Sequence, residues 1–127
     1  MILNNLILAI AIVESSLNPL AVGDDGKAWG ALQIHMCVIE DVNHFYDMDF
    51  TSQDRLSFDK SQDIFKYYTD YWSAVYEKDT GKDADFEILA RIWNGGAYGY
   101  NKPHTKIYWL RVKKQLDKIN KLSKLYE

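Results

Sequence analysis

The chain opens on a run that is apolar on every side, Leu6 to Val13, closed by a single carboxylate, Glu14. A helix apolar all round is a buried helix. The pattern predicts one from Leu3 to Ser16, ended by Asn18-Pro19 because the residue before proline avoids the helical region. Residues 20–34 read as a loop, with a small hairpin turn at Asp24-Asp25-Gly26. Val38, Ile39, Val42 and Phe45 place a second helix over Met36 to Phe45, and a polar connection runs from Asp47 to Ser57. The clearest amphipathic stretch is Ile64, Phe65, Tyr68, Tyr71, Trp72, Val75 and Tyr76, recurring at three and four residues. Asp59 with Gln62 resembles a capping box for that helix, and Gly81 ends it. Asp85 reads as the cap of a shorter helix, Phe86 to Trp93, with Ile88, Leu89 and Ile92 inward and Asn94-Gly95-Gly96 as its break.

A last helix, Thr105 to Leu125, puts Val112, Leu116, Ile119, Leu122 and Leu125 on one stripe. Lys113, Lys114, Lys118, Lys121 and Lys124 cover its other side. A solvated face is the usual role of such lysines, and an anionic polymer or wall is the other partner that suits them. No repeat, linker or low-complexity segment interrupts the pattern. The expected fold is therefore mainly α, one domain over residues 1–127 with a small loop or hairpin after the first helix.

Composition narrows this further. A chain of 127 residues can bury a core without staples, and 47% hydrophobic content excludes disorder. Four Trp and nine Tyr suit a carbohydrate site, although core packing is the commoner use of aromatics. With 15 basic and 18 acidic residues, net charge −3, the chain lacks a nucleic-acid footprint. The single cysteine, Cys37, excludes an internal disulfide and a Cys-based zinc cluster. Between Met36 and Val38 it reads as a buried, inert thiol. The first residues hold no Lys or Arg, and Glu14 stands where a signal-peptide cleavage site would fall. The apolar run is also too short to span a bilayer, so it reads as a structural helix, with no membrane insertion expected. His35, His44 and His104 lack ligand spacing, so neither a metal nor a cofactor is expected.

Glu14 is the one carboxylate inside the apolar N-terminal segment. Desolvation disfavours the charged form, so its pKa is expected to rise, and a Glu protonated near neutral pH can serve as a general acid. A helix C-terminus disfavours negative charge too. The plain alternative is a Glu that merely solvates the helix end.

Three blocks in order resemble the goose-type lysozyme and soluble lytic transglycosylase family, which has a lysozyme-like fold. The first, Glu14-Ser15-Ser16-Leu17-Asn18-Pro19, is similar to the motif that carries that family's catalytic Glu. The second, Gly30-Ala31-Leu32-Gln33-Ile34, resembles its Gly-Leu-Met-Gln-Ile element. The third, Trp93-Asn94-Gly95-Gly96 with Tyr108 downstream, stands where the family has Tyr-Asn-Ala-Gly and a later Tyr. Together they bracket residues 14–108. Trp93 departs from the family's Tyr, keeping an aromatic platform but losing a hydroxyl. Leu32 for Met conserves volume.

The resemblance implies an enzyme that cleaves the β-1,4 bond between N-acetylmuramic acid and N-acetylglucosamine of peptidoglycan, with Glu14 as general acid/base. Gln33, Trp93, Asn94, Gly95 and Tyr108 would bind substrate, Gly95 and Gly96 by letting backbone approach the sugar and Tyr108 by orienting it or Glu14. Two outcomes stay open. A lytic transglycosylase needs no water, because the sugar's own 6-hydroxyl closes a 1,6-anhydro ring. A goose-type lysozyme adds a water held by an Asp, a role that falls on Asp24, itself otherwise a plain turn residue. His35 stands where those lysozymes carry a further Asp. The competing class is a non-catalytic lysozyme-like module that binds glycan or builds a virion. Glycan strands are the expected partner, with virion or lysis proteins beside them. A bacteriophage endolysin or virion part acting on the bacterial wall is the expected setting.

Overall fold

The computed structural model describes residues 2–126 and is mainly helical. Five α-helices follow in order: α1 (Ile2–Ser15), α2 (Met36–Tyr46), α3 (Phe58–Thr80), α4 (Phe86–Gly95) and α5 (Pro103–Lys124). Two short strands, β1 (Val22–Gly23) and β2 (Ala28–Trp29), form an antiparallel hairpin between α1 and α2. Single 3-10 turns precede α3 and α5.

The apolar run of α1 lies in the middle of the core. Leu6, Ile7 and Ile10 are fully buried together with Phe65 of α3, Ile92 of α4 and Val112 of α5. Each such side chain contributes roughly 1.5–3 kcal/mol by leaving water. α1 packs along α5, and Asn5 Nδ2 donates to Asn120 Oδ1 at 3.1 Å across that seam. α2 meets α3 through aromatic rings, Phe45 stacked on Tyr71 at 3.8 Å between centroids and Trp72 edge-on to Phe45 at 5.5 Å.

Local chemistry sets the boundaries. α1 stops at Ser15 because Ser16 and Leu17 turn left-handed (φ 55° and 65°), two residues before the Asn18-Pro19 stop expected from sequence. Asn18 then closes an Asx turn, its Oδ1 accepting from Leu20 N at 3.0 Å. The Asp59–Gln62 capping box does not form. Ser57 is the extended residue before α3, and its Oγ accepts from Lys60 N at 3.3 Å, so the helix starts earlier, at Phe58. Gly81 at φ 71° ends α3, and Asp85 caps α4 by accepting from Ile88 N at 3.0 Å, both as expected.

Two burial expectations are corrected. Cys37 is exposed, because it lies in the first turn of α2 on the side away from Ile39 and Val42. The α5 stripe is buried through Val112 and Leu116, but Leu122 and Leu125 are 58% and 75% exposed. α5 has 22 residues against 14 in α1, and its final turns run past the helix it packs on.

Candidate active site

The hairpin is the local structure that shapes the site. Gly23↔Ala28 pairing leaves Asp24, Asp25, Gly26 and Lys27 as its turn. Asp24 and Asp25 sit at φ 50° and 55° and Gly26 at 86°, with Gly26 N bonded to Gly23 O at 3.1 Å. Two successive left-handed residues match the right-handed twist of the flanking strands, and Asp tolerates that region better than most residues.

Beneath the hairpin lies Arg55, a buried cation that sequence reasoning missed. Its residue is 3% exposed, and its guanidinium lies 4.1 Å from the centroid of Trp29. Its Nη1 donates to Lys27 O at 3.2 Å and Ile34 O at 2.8 Å, and Nη2 to Ser52 Oγ at 2.6 Å. All these acceptors are neutral, and burial pushes the guanidinium below its ordinary pKa. No pattern around Arg55 distinguishes it from any other polar residue of the 47–57 connection.

Gly30 sits at φ 87°, and a Cβ there would run into the carbonyl oxygen of Arg55. Only glycine permits both the angle and the approach. Ser15 ties this loop to α1, its Oγ donating to Ala31 O at 2.8 Å. The Ser of the Glu-Ser pair therefore anchors the helix end that carries Glu14 to the Gly30–Ile34 segment.

These elements enclose a cleft of about 200 Å³. Glu14 enters it from the end of α1, Asp24 and Ala28 from the hairpin, Gln33, Ile34 and His35 from the following segment, and Trp93 and Asn94 from α4. Val38 of α2 closes the floor. Glu14 is largely withdrawn from water, and that desolvation pushes its pKa up to about 7. Tyr108 Oη donates to Glu14 Oε2 at 3.0 Å, which partly offsets the rise. Tyr108 is itself buried on α5, and burial together with the neighbouring carboxylate holds its hydroxyl well above its ordinary pKa. A carboxyl that titrates near neutrality can both give and take a proton.

The other sequence-predicted residues divide. Asp24 reaches the cleft from an exposed position, its Oδ2 3.1 Å from His35 Nε2. Gln33 lines the cleft, but Nε2 donates to Ala21 O at 3.2 Å and Gly30 O at 3.0 Å. Both amide hydrogens are thus spent on backbone, and only Oε1 is left for a ligand. Trp93 presents one side to the cleft, while its ring packs on Phe65 at 4.9 Å and Tyr68 at 5.7 Å. Asn94 is exposed at the cleft rim, still within α4 rather than ending it. Gly95 does not line the cleft. A Cβ there would stand 2.6 Å from Thr105 Cγ2, so its small size serves the packing of α4 against the start of α5. Gly96, at φ 85°, is the residue that ends α4.

Among the described residues, no group of three or more His, Cys, Asp or Glu is arranged to hold a metal ion. No family model, curated protein or solved structure matches the chain.

Proposed function

We propose that this protein is a glycan-cleaving enzyme with Glu14 as its general acid/base. The observation that carries the reading is the state of Glu14: a carboxyl taken out of water, held by a tyrosine, titrating at about 7 and opening on a cleft. Such a group protonates the leaving glycosidic oxygen as the oxocarbenium-like transition state forms. It then accepts a proton from the hydroxyl that attacks the anomeric carbon. The resemblance of the Glu14, Gly30–Ile34 and Trp93–Gly96 blocks to lytic transglycosylases and goose-type lysozymes supports a particular bond: the β-1,4 link between N-acetylmuramic acid and N-acetylglucosamine in peptidoglycan.

Glu14 alone suffices for the anhydro-forming route, in which the 6-hydroxyl of the same sugar attacks and Glu14 takes its proton. Among the described residues no other buried carboxyl lines the cleft, and this favours that route. Hydrolysis is the second reading, favoured by the presence of Asp24 in the same cleft, where it could hold a water for attack from the opposite face. A non-catalytic glycan-binding or virion role is opposed by the raised carboxyl, for which a binding module has no use. A bacteriophage lysis or virion protein remains the setting that suits the reading.

Digestion of purified peptidoglycan, followed by mass spectrometry of the soluble products, tests it. Products one water lighter than hydrolysed strands identify the anhydro route, and free reducing ends identify hydrolysis. Release of no soluble product, or undiminished release by Glu14→Gln, overturns the enzyme reading.

A further inference from the structure

Helix α5 has two faces. Tyr108, Val112 and Leu116 turn one of them into the core. At 3.6 residues per turn, Ile107, Leu110, Leu122 and Leu125 fall on a roughly opposite arc of about 120°. They are 65%, 55%, 58% and 75% exposed. Arg111, Lys114, Lys118 and Lys121 lie on the same arc between them, and all four are exposed. The stripe therefore has a basic middle and an apolar pair at each end, about 27 Å apart along the helix axis. Its charge is one-sided. α5 carries seven of the chain's 15 basic residues and one of its 18 acidic ones. That one, Asp117, lies beside the arc and pairs with Lys113 at 3.1 Å. None of the four cations of the stripe takes part in an ion pair among the described residues. Two hollows set these cations beside apolar side chains. In one of about 330 Å³, Lys118 and Lys121 join Leu122 and Leu125; in one of about 290 Å³, Arg111 and Lys114 join Ile12 and Val13 of α1.

From this pattern we infer that the outer face of α5 docks the protein on the surface of an anionic phospholipid bilayer. The helix lies on the bilayer and does not cross it, and no described helix is long and apolar enough to do so. The leucines and Ile107 enter the headgroup boundary at both ends of the stripe. Between them the lysine and arginine stems lie along the same level while their charged heads reach lipid phosphates. The order of residues sets other occupants aside. A protein interface has an apolar centre depleted of charge and a polar rim, and this stripe has the reverse. A second copy would bring cations against cations. A soluble polyanion would match the charge but would leave four large apolar side chains unused. None of the eight stripe residues lines the cleft, so docking leaves the cleft open and does not depend on the chemistry performed there.

Co-sedimentation of the full chain with vesicles tests this. The wild type is expected to pellet with vesicles of phosphatidylglycerol and phosphatidylcholine in equal parts. It is expected to stay in the supernatant with phosphatidylcholine alone, and to bind more weakly as salt is raised. A protein that ignores both kinds of vesicle, as one with an acidic protein partner would, overturns the inference. Three double variants then locate the contact, each with glutamine, which keeps an exposed helix intact and is checked by an unchanged melting temperature. Lys118→Gln with Lys121→Gln is expected to weaken binding about 25-fold, at about fivefold for each cation at an anionic surface. Leu122→Gln with Leu125→Gln keeps every charge and is expected to weaken it about tenfold. Undiminished binding by the leucine variant would mean attraction to any polyanion and would overturn the bilayer as occupant. Lys78→Gln with Lys82→Gln removes two exposed lysines at the end of α3, away from the stripe, and is expected to change nothing. A loss there equal to that of the Lys118 and Lys121 variant would mean diffuse charge attraction and would overturn α5 as the docking face.

Discussion

Tyr108 Oη and Glu14 Oε2 lie 3.0 Å apart although 94 residues separate them in the chain. α5 brings the phenol to the end of α1, where its hydrogen bond lowers the pKa of the carboxyl. Burial raises it by more, and the result is a Glu that remains protonated up to about pH 7. Wall-cleaving activity that needs the acid form is expected to fall as pH rises through about 7. Glu14→Gln is expected to lower it by about 10²–10⁴-fold at all pH values with the far-UV spectrum retained. A pH profile of peptidoglycan solubilisation checks both, and an activity that climbs steadily above pH 8 would contradict the role of Glu14 as acid.

The same shift has a sign for stability. The unfolded chain releases this proton near the ordinary glutamate value of 4.5 and the folded chain near 7, so between these the folded state holds more protons. Stability from this group is therefore full below pH 4.5, decreases as pH rises and has lost about 3 kcal/mol by the time pH passes 7. Urea unfolding of the wild type and Glu14→Gln at pH 4.5 and pH 8 isolates the effect. The variant is expected to lack this decrement, and equal pH slopes in the two proteins would refute it.

Tyr108→Phe removes the donor that favours the charged carboxylate. The pKa of Glu14 is expected to rise further, moving the alkaline limb of activity to higher pH, while the fold loses about 1 kcal/mol. An unmoved limb would mean that the hydroxyl has no hold on Glu14.

Much of this frame was legible in the residues themselves. The apolar run to Val13 marks a buried helix, Gly81 and Asp85 punctuate α3 and α4, and Asp24-Asp25-Gly26 marks the hairpin. Each of those signals is local, so each survives without knowledge of the tertiary structure. What was not legible depended on distant partners. Arg55 owes its burial to Trp29, Lys27 and Ile34, and Gln33 owes its spent amide to Ala21 and Gly30. Gly95 reads like a loop glycine but answers to Thr105. The apolar spacing of Leu122 and Leu125 continues a stripe after the neighbour that would cover it has ended.

Asp24 separates the two chemical routes. Its side chain is 61% exposed and held by His35, a surface pair that contributes no more than about 1 kcal/mol. Asp24→Asn is therefore expected to leave stability nearly unchanged. If cleavage is anhydro-forming, the variant loses less than the roughly 10²-fold that removal of a general base costs, and its products stay 1,6-anhydro. A larger loss with free reducing ends in the wild type would assign Asp24 the water.

Gly30 and Gly26 test whether the hairpin is held from beneath. Both have left-handed angles, φ 87° and 86°, but a Cβ at Gly26 meets nothing within 4 Å. Gly26→Ala is expected to cost only the conformational strain, about 1–2 kcal/mol. At Gly30 the added carbon strikes the carbonyl oxygen of Arg55, a backbone atom that cannot rotate away. Gly30→Ala is expected to cost more than about 3 kcal/mol, because strain is joined by a clash that displaces the Arg55 segment. That displacement also loosens the Ile34 and Lys27 carbonyls from Arg55, so the cleft wall opens and activity falls with stability. Thermal melts of the two variants decide the matter. Equal losses would mean that Arg55 does not brace the hairpin.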